Sequence, residues 1–511
     1  MLELTPDRRL TGGIRLLANK AQSTAEPILR GLVPPELVIG LHQHRGTSAT
    51  PIVEVGQRVA KGEPIAVPGP GASTGVHASS SGRVRAIEER LIPTGARLQN
   101  AVCVVIETDG EDLPYREATA STWPSDRAAQ LELVRRAGIA GLGGAAFPTA
   151  AKLEGVAGRC KALIVNGAEC EPYISCDDAL MREAPEDIVL GVLRMAELVD
   201  APLAIIVIER DKPRAIQAIG DAARALGDPR LRIAEVPTIY PAGGERQLVE
   251  LLTGEEVPSG EYPISIGYVC QNVGTAYALQ RLASSGEPLT SRIVTVTGLG
   301  VARPRNVEVP IGTPIGWLIE QCGGYRGDVA RLIHGGSMMG YALPSDDLPV
   351  TKATSCVLAA AADEIRVDFE EWACIRCGEC ASVCPARLQP QELVVAAVAR
   401  DFEDLDTLGL DDCIECGCCD VVCPSHIVLT ERFRAAKRAF AQHARRLALS
   451  SEAEARHKRR VRRLEATAED SRAAQEALKA NVRADDEAER RRAIQAAVER
   501  ARQRKRGNIE P

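Results

Sequence analysis

Two runs of cysteine in the second half of the chain share one spacing. CIRCGECASVCP occupies residues 374–385 and CIECGCCDVVCP occupies residues 413–424, so both have the form C-x2-C-x2-C-x3-C-P. Thiolates are soft ligands that suit transition metals and iron–sulfur clusters. Nine of the sixteen cysteines lie between Cys374 and Cys423. Because a reducing cytosol does not keep structural disulfides, this clustering predicts metal ligands or redox groups.

The doubled motif resembles that of ferredoxins with two 4Fe–4S clusters. In this motif three closely spaced thiolates bind one cluster, and the fourth, which follows a short helical turn, binds the other. The predicted cluster-one cysteines are Cys374, Cys377, Cys380 and Cys423, and the predicted cluster-two cysteines are Cys384, Cys413, Cys416 and Cys419. A pair of zinc sites is the alternative, although structural zinc usually takes two CxxC units per ion. Cys418 lies outside the pattern, and we expect it to be packed and unligated.

The remaining composition limits the classes of protein that fit. The chain has 511 residues, enough for several domains, and 45% of them are apolar. Its net charge of −7 gives no indication of nucleic-acid binding. The N-terminal MLELTPDRRLTGGIRLLANK lacks the apolar core of a secretory signal, and no apolar run reaches the roughly 18 to 20 residues of a membrane span. We therefore expect a cytosolic chain that is soluble or peripherally attached to a membrane.

Residues 31–115 are predicted to be all-β, since PIVEVGQRVAKGEPIAVPG and similar segments alternate apolar and polar residues around glycine. The pattern resembles the barrel-sandwich hybrid domains of lipoyl and biotinyl carriers. Carriers present a lysine at a hairpin tip, whereas Lys61 lies in a V-x-K-G-E turn and three serines occupy the later hairpin. We therefore expect a structural module without a modified lysine, and we expect His42 and His44 to be hydrogen-bonded in loops.

Residues 120–285 alternate helical and strand patterns, which predicts a parallel sheet covered by helices. Within this region GIAGLGGAAFPTAAKL places Gly141, Gly143 and Ala146 in a formal G-x-G-x-x-G/A pattern. That fingerprint should follow a strand, but a helical segment with Arg135 and Arg136 precedes it here, so the usual Rossmann interpretation is rejected. A glycine cluster between helices still lets backbone N–H groups approach a ligand. From this loop alone, a structural turn and a cofactor loop both stay open.

Three further phrases favour a cofactor loop. NGAECEPY follows a predicted strand at Asn166, where α/β sheets place ligands. YPAGGERQL and QNVGTAYAL place glycine, amide and hydroxyl groups at the start of predicted helices. Such groups at helix N-termini suit a phosphate.

Together these phrases resemble the flavin- and NADH-binding subunit of respiratory complex I, and more closely the C subunit of the Rnf-type ion-translocating ferredoxin:NAD oxidoreductase. GGIRLLANK and LHQHRG near the start also resemble that protein, and the similarity covers about residues 10–430. The complex I flavoprotein has a single four-cysteine cluster, so the doubled motif favours the Rnf protein. The resemblance implies a multidomain chain of α/β and β type. Its expected parts are an N-terminal segment with a barrel-sandwich hybrid (1–118), a complex-I-flavoprotein-like α/β domain that binds FMN and NADH (119–285), a soluble-ligand-binding β-grasp (286–360), a ferredoxin-like domain with two 4Fe–4S clusters (361–430) and a charged helical tail (431–511).

The same resemblance implies which residues bind FMN and NADH, and it implies no catalytic acid or base. Gly141, Gly143 and Gly144 would line the loop for the flavin and the nicotinamide, and Phe147 would stack on the nucleotide. The other positions carried over are Lys152, Asn166, Asn272 and Thr275 for FMN, with Thr275 near the phosphate, and Glu169, Glu171, Tyr240, Gly243 and Glu245 around the flavin and NADH. Complex I has glycine where Ala146 stands, so we expect the Cβ of Ala146 to narrow the site.

The remaining segments are predicted to be supporting structure. RIVTVTGLGVARPRNVEVPIGTPIGWLIEQCGG predicts two strands and a helix that pack between the flavin domain and the clusters, and the segment around His334 is expected to be structural. Residues 425–506 contain no glycine or proline, and Phe433, Phe440 and Leu447 recur every seven residues. Two interpretations stay open for this tail: a long solvated helix, partly disordered, and a coiled-coil contact.

The resemblance implies a function in electron transport. Hydride would pass between NADH and FMN, and single electrons would pass through the two clusters to or from membrane partners and, through them, ferredoxin or flavodoxin. We therefore expect an oxidoreductase component of an ion-coupled translocase, peripheral on the cytoplasmic side of the cell inner membrane. Two alternatives stay open: a soluble flavin and iron–sulfur cobalamin reductase, and a non-enzymatic 4Fe–4S relay whose nucleotide site has decayed.

Overall fold

A computed structural model describes residues 10–115, 123–156, 158–365 and 370–506 of the chain. The boundary expected between residues 118 and 119 falls outside the described residues. The chain divides into two compact units, Met1–Arg434 and Ala435–Pro511. Within the described ranges, no helix combines the length and the apolar character that crossing a membrane requires.

The first part of the large unit is all-β, as the alternation of apolar and polar residues predicts. Its strands are β1 (Glu36–Gly40), β2 (Thr50–Pro51), β3 (Arg58–Val59), β4 (Pro64–Val67), β5 (Val76–His77), β6 (Gly82–Pro93) and β7 (Leu98–Thr108). They form two sheets, ordered β1-β7-β6-β3 and β2-β4-β5, around buried residues such as Ile39 and Ile65. Lys61 lies in an ion pair with Asp112 at 2.6 Å, which is a structural contact.

The two loop histidines of this part are hydrogen-bonded to backbone, as expected. The Nε2 atom of His42 lies 3.1 Å from the carbonyl oxygen of Gly46, and that of His44 lies 3.0 Å from the carbonyl oxygen of Thr47. Burial, with the charge of Lys352 second, lowers the pKa of His44 to about 3. His44 is therefore neutral at physiological pH.

The second part is the predicted parallel sheet covered by helices. Its elements are α1 (Arg127–Arg136), α2 (Thr149–Glu154), β8 (Ala162–Gly167), α3 (Cys176–Glu183), α4 (Pro185–Leu198), β9 (Ala204–Glu209), α5 (Pro213–Leu226), β10 (Leu231–Val236), α6 (Glu245–Thr253), β11 (Tyr268–Asn272) and α7 (Val273–Ser285). The strand order is β10-β9-β8-β11, and every pairing is parallel. Apolar residues line both faces, which is the pattern of a sheet buried between layers of helices.

The third part is a mixed five-stranded sheet with one helix. Its elements are β12 (Ser291–Thr297), β13 (Arg305–Pro310), α8 (Ile315–Gln321), β14 (Val329–His334), β15 (Tyr341–Ala342) and β16 (Cys356–Ala361), and the strand order is β13-β12-β16-β14-β15. The two strands and the helix predicted from the sequence are confirmed as β12, β13 and α8. His334 is structural, since its Nε2 lies 2.9 Å from the Oγ1 of Thr354.

One buried lysine joins these three parts. The Nζ of Lys352 donates to the carbonyl oxygens of Gly75, at 2.9 Å, and of Gly138, at 2.7 Å. Gly75 belongs to the β-sheet part and Gly138 follows α1. Because Lys352 is only 1% exposed, burial lowers its pKa to about 7. Its carbonyl partners hold the three parts in one arrangement.

The cysteine-rich region consists of short helices. They are α9 (Glu379–Ser382), α10 (Pro390–Ala399), α11 (Phe402–Thr407), α12 (Cys418–Val422) and the start of α13 (Leu429–Arg506). The short α9 and α12 are the helical turns expected before the fourth cysteine of each motif. Each follows a glycine in the left-handed region, Gly378 at φ 81° and Gly417 at φ 77°.

The small unit contains the rest of α13. The helix is 78 residues long in total, and nearly every residue from 444 to 506 is exposed. Ion pairs such as Arg456–Glu452 at 3.0 Å and Lys458–Glu454 at 2.6 Å lie one turn apart on its surface. The prediction of a charged helical tail is confirmed as far as residue 506.

Candidate functional site

The glycine-rich loop lies between α1 and α2. A helix therefore precedes it, whereas a Rossmann fingerprint follows a strand, and this excludes the Rossmann interpretation. Ala140 and Pro148 form a bridge across its base, and the N–H of Gly141 donates to the carbonyl of Phe147 at 2.8 Å. Gly144 has a φ of 102°, and a methyl group there would meet no atom within 4 Å. At Gly144 the loop therefore presents bare backbone to open space, which fits close approach of a flat cofactor.

The start of α7 holds this loop in place. The backbone N–H of Leu142 donates to the Oγ1 of Thr275 at 3.0 Å, and Thr275 is fully buried. A methyl group on Gly143 would lie 3.4 Å from the Cβ of Asn272. The hydroxyl of Thr275 thus contacts the loop backbone, and it lies at the helix N-terminus where the sequence predicts a phosphate.

Ala146 occupies a backbone conformation that favours glycine. Its φ is 47°, and its carbonyl accepts a hydrogen bond from the N–H of Arg45 at 3.1 Å. Only 2% of Ala146 is exposed, so its methyl group is buried rather than presented on the open face of the loop. This placement argues against the expectation that Ala146 narrows the site. The neighbouring Phe147 is 37% exposed, which leaves part of its ring available to stack on a ligand.

Two asparagines end neighbouring parallel strands at the carboxyl edge of the sheet. Asn166 lies near the end of β8, side by side with Asn272 of β11, and its Nδ2 donates to the carbonyl of Gly243 at 2.8 Å. Asn272 caps α7, since its Oδ1 accepts from the N–H of Gly274 at 2.8 Å. Its Nδ2 donates to the Oδ2 of Asp177 at 2.6 Å. The predicted residues Asn166, Gly243 and Asn272 therefore lie together where such sheets bind ligands.

Lys152 and Glu245 form a second polar pair of the predicted set. Lys152 lies on α2 and Glu245 begins α6, and the two side chains make an ion pair at 2.8 Å. Both are partly exposed, so the pair contributes little to stability by itself.

Glu169 lies beneath this edge and caps α3, a helix that the sequence did not predict. Its Oε1 accepts from the N–H of Asp177 at 2.9 Å, and Lys20 of the N-terminal segment lies 3.9 Å from its Oε2. Burial, followed by the charge of Glu169, raises the pKa of Asp177 to about 7. Glu169 therefore positions α3 and its carboxylate Asp177, which in turn orients Asn272.

Glu171 and Tyr240 make their polar contacts away from the glycine loop. The Oε1 of Glu171 accepts from the N–H groups of Met338, at 2.7 Å, and Met339, at 2.9 Å. Burial raises the pKa of Glu171. The Tyr240 hydroxyl donates to the carbonyl of Cys416 at 2.7 Å. Of these two residues of the predicted flavin set, Glu171 thus contacts the loop between β14 and β15, and Tyr240 contacts the cysteine-rich region.

Each predicted cysteine set lines its own cavity. One cavity is lined by Cys374, Cys377, Cys380 and Cys423. The other is lined by Cys384, Cys413, Cys416 and Cys419, and also by Cys418. All sixteen cysteines lie in described ranges, and no disulfide joins any two of them. Four thiols that line one cavity form a soft donor set, which fits a cubane cluster.

The two cavities differ in their surroundings. Cys374 and Cys377 are exposed, and the nearby Ile375 and Trp372 are 68% and 63% exposed. Cys416 and Cys419 are buried. The cluster-one cavity therefore faces solvent, whereas the cluster-two cavity lies against the rest of the large unit.

An apolar contact, which we call the Tyr240 interface, covers the cluster-two cysteines. Tyr240 packs there with Cys416 and Cys418, surrounded by Ile14, Leu16, Cys170, Met338, Val383 and Ile414. Cys170 connects this interface to the sheet edge, because its Sγ accepts from the N–H of Gly243 at 3.3 Å. Asn166, Gly243, Cys170, Tyr240 and Cys416 thus form one contiguous set of contacts.

Sequence reasoning missed the N-terminal segment that completes this interface. The N–H of Gly13 donates to the carbonyl of Val383 at 2.8 Å, and Ile14 pairs with Tyr240 as a β-bridge. A methyl group on Gly12 would lie 2.6 Å from the backbone of Cys384. The sequence signal for this close backbone approach was the pair of adjacent glycines, Gly12 and Gly13. Their φ values in the structure are 66° and 79°.

Three segments of the chain match known family models. Residues 8–111 match the RnfC barrel sandwich hybrid domain, residues 134–281 match the Nuo51 FMN-binding domain, and residues 293–342 match the SLBB domain. The matched segments coincide with the all-β part, the parallel-sheet part and the start of the mixed-sheet part of the fold.

The chain is also similar to curated proteins named as the C subunit of the ion-translocating oxidoreductase complex. It is 45% identical to that of Pseudomonas aeruginosa over 458 residues, which are 89% of this chain and 58% of the relative. It is 40% identical to that of Pectobacterium atrosepticum over 507 residues, which are 98% of this chain and 71% of the relative. The chain thus spans little more than half of the Pseudomonas relative.

Among solved structures, an NAD⁺-reducing [NiFe]-hydrogenase in the H2-reduced state is similar over 64% of this chain and 63% of its own, at 21% identity and a TM-score of 0.43.

Proposed function

This chain belongs to the RnfC family, the C subunits of ion-translocating oxidoreductase complexes, and from that premise we propose that it is the NADH-facing electron-transfer component of such a complex. Its cofactors in this proposal are FMN and two 4Fe–4S clusters, and its substrate is NAD(H). Its partners are the other subunits of the complex and, through them, ferredoxin or flavodoxin. The chain acts as a peripheral protein on the cytoplasmic side of the cell inner membrane.

The glycine loop and the sheet edge are the proposed FMN and NADH site. Gly141, Gly143 and Gly144 supply bare backbone, and Phe147 supplies an exposed ring for stacking. Lys152 is placed to attract a phosphate, and Asn166 and Asn272 offer amides at the ends of β8 and β11. FMN, when bound, supplies the exchange between two-electron and one-electron chemistry. The burial of the Ala146 methyl group weakens the alternative of a decayed nucleotide site.

The observation that carries the proposal is the continuity between this site and the cluster-two cysteines. Asn166 contacts Gly243, Gly243 contacts Cys170, and Cys170 packs in the Tyr240 interface with Cys416. A redox group at the sheet edge would therefore have cluster two as its nearest neighbour in the cysteine-rich region. We infer that cluster two is the inner cluster of the relay.

The solvent-facing cluster-one cavity is the proposed contact with the membrane partners. Cys374 and Cys377 are exposed beside Ile375 and Trp372, so this set of cysteines is accessible to a partner within the described residues of the large unit. Exposed apolar side chains beside a redox group suit a protein interface. Cluster one is therefore the outer cluster, through which electrons leave or enter.

Anaerobic purification of the chain tests this proposal. We expect about eight iron and eight sulfide per chain, in two four-iron clusters, together with a bound flavin that NADH bleaches. The variant Phe147→Ala should weaken NADH binding by about 1 kcal/mol, or about fivefold, because a stacking surface is lost. Leu299→Ala, at an exposed position on another part of the fold, is the matched control and should bind NADH normally.

Two results would contradict the proposal. A purified chain with both clusters but without flavin, even after incubation with FMN, would make it a relay without a nucleotide site. Unchanged NADH binding in Phe147→Ala would show that Phe147 has no part in the site.

A further inference from the structure

Helix α10 lies beside the cluster-one cavity and is apolar on every side beyond its first turn. Gln391 and Val394 line that cavity, and the Sγ of Cys380 lies 3.4 Å from the Oε1 of Gln391. The sequence of residues 393–399 is LVVAAVA, without a polar side chain. A helix that is apolar all round is normally buried on all sides.

Two valines of α10 nevertheless face solvent. Val395 is 64% exposed and Val398 is 69% exposed, whereas Leu393 and Ala396 on the opposite side of the helix are buried. Val395 and Val398 follow Gln391 by four and seven residues, so they continue along the helix from a residue that lines the cluster-one cavity. We call the side of α10 that carries these two valines the α10 face. Exposed apolar side chains next to a predicted redox site indicate an interaction surface.

The segment that contains the α10 face is strongly acidic. Residues 388–412 include seven acidic residues and one basic residue. Glu392 is exposed in the first turn of α10, three residues before Val395 and thus on a neighbouring position of the helix surface. Helix α11 follows directly, and the N–H of Asp401 donates to the carbonyl of Ala396 at 3.0 Å. The other exposed acidic residues of the segment are Asp401, Glu403, Asp404, Asp406 and Asp411.

We propose that the α10 face binds another subunit of the complex, through a surface of that subunit with an apolar centre and a basic rim. The inference rests on the proposed function and deepens it, because it gives the chemistry of the partner and the helix that the partner contacts. Opposite charges around an apolar contact direct the approach of two proteins and exclude wrong partners.

The same negative charge argues against two other occupants of the α10 face. The cytoplasmic leaflet of a membrane carries anionic lipid, which repels an acidic surface. A second copy of this chain, related by two-fold symmetry, would place the same acidic segment against itself. Like charges that meet across an interface are unfavourable. A basic partner has neither disadvantage.

Binding to membranes tests the proposal with the full, cluster-loaded chain. One set of membranes comes from cells that lack this chain and keep the other subunits, and a second set lacks all subunits of the complex. The purified chain should co-sediment with the first set only, and its affinity should fall as the salt concentration rises. The double variant Val395→Thr/Val398→Thr should bind on the order of tenfold more weakly, because two hydroxyls enter an apolar contact. Val55→Thr, at a position 63% exposed in the all-β part, is the matched control and should bind normally.

A second variant tests the acidic segment. The triple variant Glu392→Gln, Glu403→Gln and Asp406→Asn removes three exposed charges and keeps the size of the side chains. At low salt its affinity should fall on the order of tenfold, and the remaining affinity should depend less on salt. Glu320→Gln, at an exposed position on α8, is the control and should bind like the unmodified chain. Each variant should keep about eight iron per chain, which shows that the cysteine-rich region is folded.

Any of five results would overturn the proposal. Equal binding of the unmodified chain to the two sets of membranes, or binding to neither, would show that it binds no partner subunit. Normal binding of the valine variant would place the α10 face outside the contact. Tighter binding of the charge variant would make the partner acidic. Equal affinity for phosphatidylglycerol vesicles would identify lipid as the occupant, and a dimer in sedimentation velocity that the valine variant abolishes would identify a second copy. A chain without flavin that binds as predicted would instead contradict the proposed function alone.

Discussion

The two cysteine loops have the same backbone but different surroundings. Arg376 and Glu415, at equivalent positions, have φ values of 56° and 58°, and Arg387 and His426, which follow the fourth cysteines, both have a φ of 54°. The first loop nevertheless faces solvent, and the second is covered by the Tyr240 interface. The repeated sequence thus determines the local backbone of the cysteines, whereas distant segments of the chain decide which cysteine set is covered and which is exposed.

Ligand substitutions should have the largest effect, and they test the crossed ligation of the two loops. Cys384 belongs to the first motif but lines the cavity of the second. Cys384→Ala should therefore remove cluster two, lower the iron content from about eight to about four per chain and leave cluster one intact. Iron analysis and electron paramagnetic resonance measure this outcome.

Two reference variants make the assignment unambiguous. Cys416→Ala removes a cluster-two cysteine from the second motif, and Cys377→Ala removes a cluster-one cysteine from the first motif. The spectrum of Cys384→Ala should match that of Cys416→Ala. A match with Cys377→Ala would mean that each motif holds its own cluster.

Weakening the Tyr240 interface, which covers the predicted cluster-two cysteines, should have a smaller effect. The variant Tyr240→Phe removes the hydroxyl that donates to the Cys416 carbonyl and leaves that buried acceptor unpaired. The cost should be about 1 to 3 kcal/mol of unfolding free energy. Urea unfolding of the anaerobic protein, followed by cluster absorption, should show a lower midpoint.

The control for this variant is Tyr262→Phe, since Tyr262 is 63% exposed in the same unit. Its unfolding free energy should stay within about 0.5 kcal/mol of the unmodified protein. Equal effects of the two substitutions would show that the Tyr240 interface contributes nothing specific to cluster two.

Deletion of residues 450–511 should have the smallest effect. The described residues of this stretch continue α13 within the small unit, nearly all of them are exposed, and arginine alternates with acidic residues along them. Attraction to anionic lipid should therefore be weak. NADH oxidation, cluster content and most of the membrane co-fractionation should survive the deletion. A truncated chain found wholly in the soluble fraction would identify the tail as the docking element.

The sequence predicts those features that depend on local spacing. The ligand sets follow from the C-x2-C-x2-C-x3-C-P spacing, and the helix starts at Glu245 and Asn272 follow from glycine and capping residues. The contact of Ile14 with Tyr240 and that of Lys352 with Gly75 and Gly138 connect segments more than 200 residues apart. No periodicity or motif encodes such pairs, so the burial of Cys416 and Cys419 had to come from the structure.

Tyr240 illustrates the same limit. The family resemblance implies that Tyr240, which lies in YPAGGERQL just before α6, is one of the residues around the flavin and NADH. In the structure its hydroxyl donates to the carbonyl of Cys416, and side chains of the N-terminal segment and of the loop between β14 and β15 pack around it. The contact between Tyr240 and Cys416, which lie 176 residues apart, could not be read from this phrase.

The order of the clusters is tested most directly by rapid-freeze electron paramagnetic resonance after mixing with NADH. We predict that Cys380→Ala, which lacks cluster one, still shows fast reduction of cluster two. Cys384→Ala, which lacks cluster two, should show no fast reduction of cluster one, because the contacts from Asn166 through Cys170 and Tyr240 lead to Cys416. Fast reduction of cluster one in Cys384→Ala would contradict the inner position of cluster two.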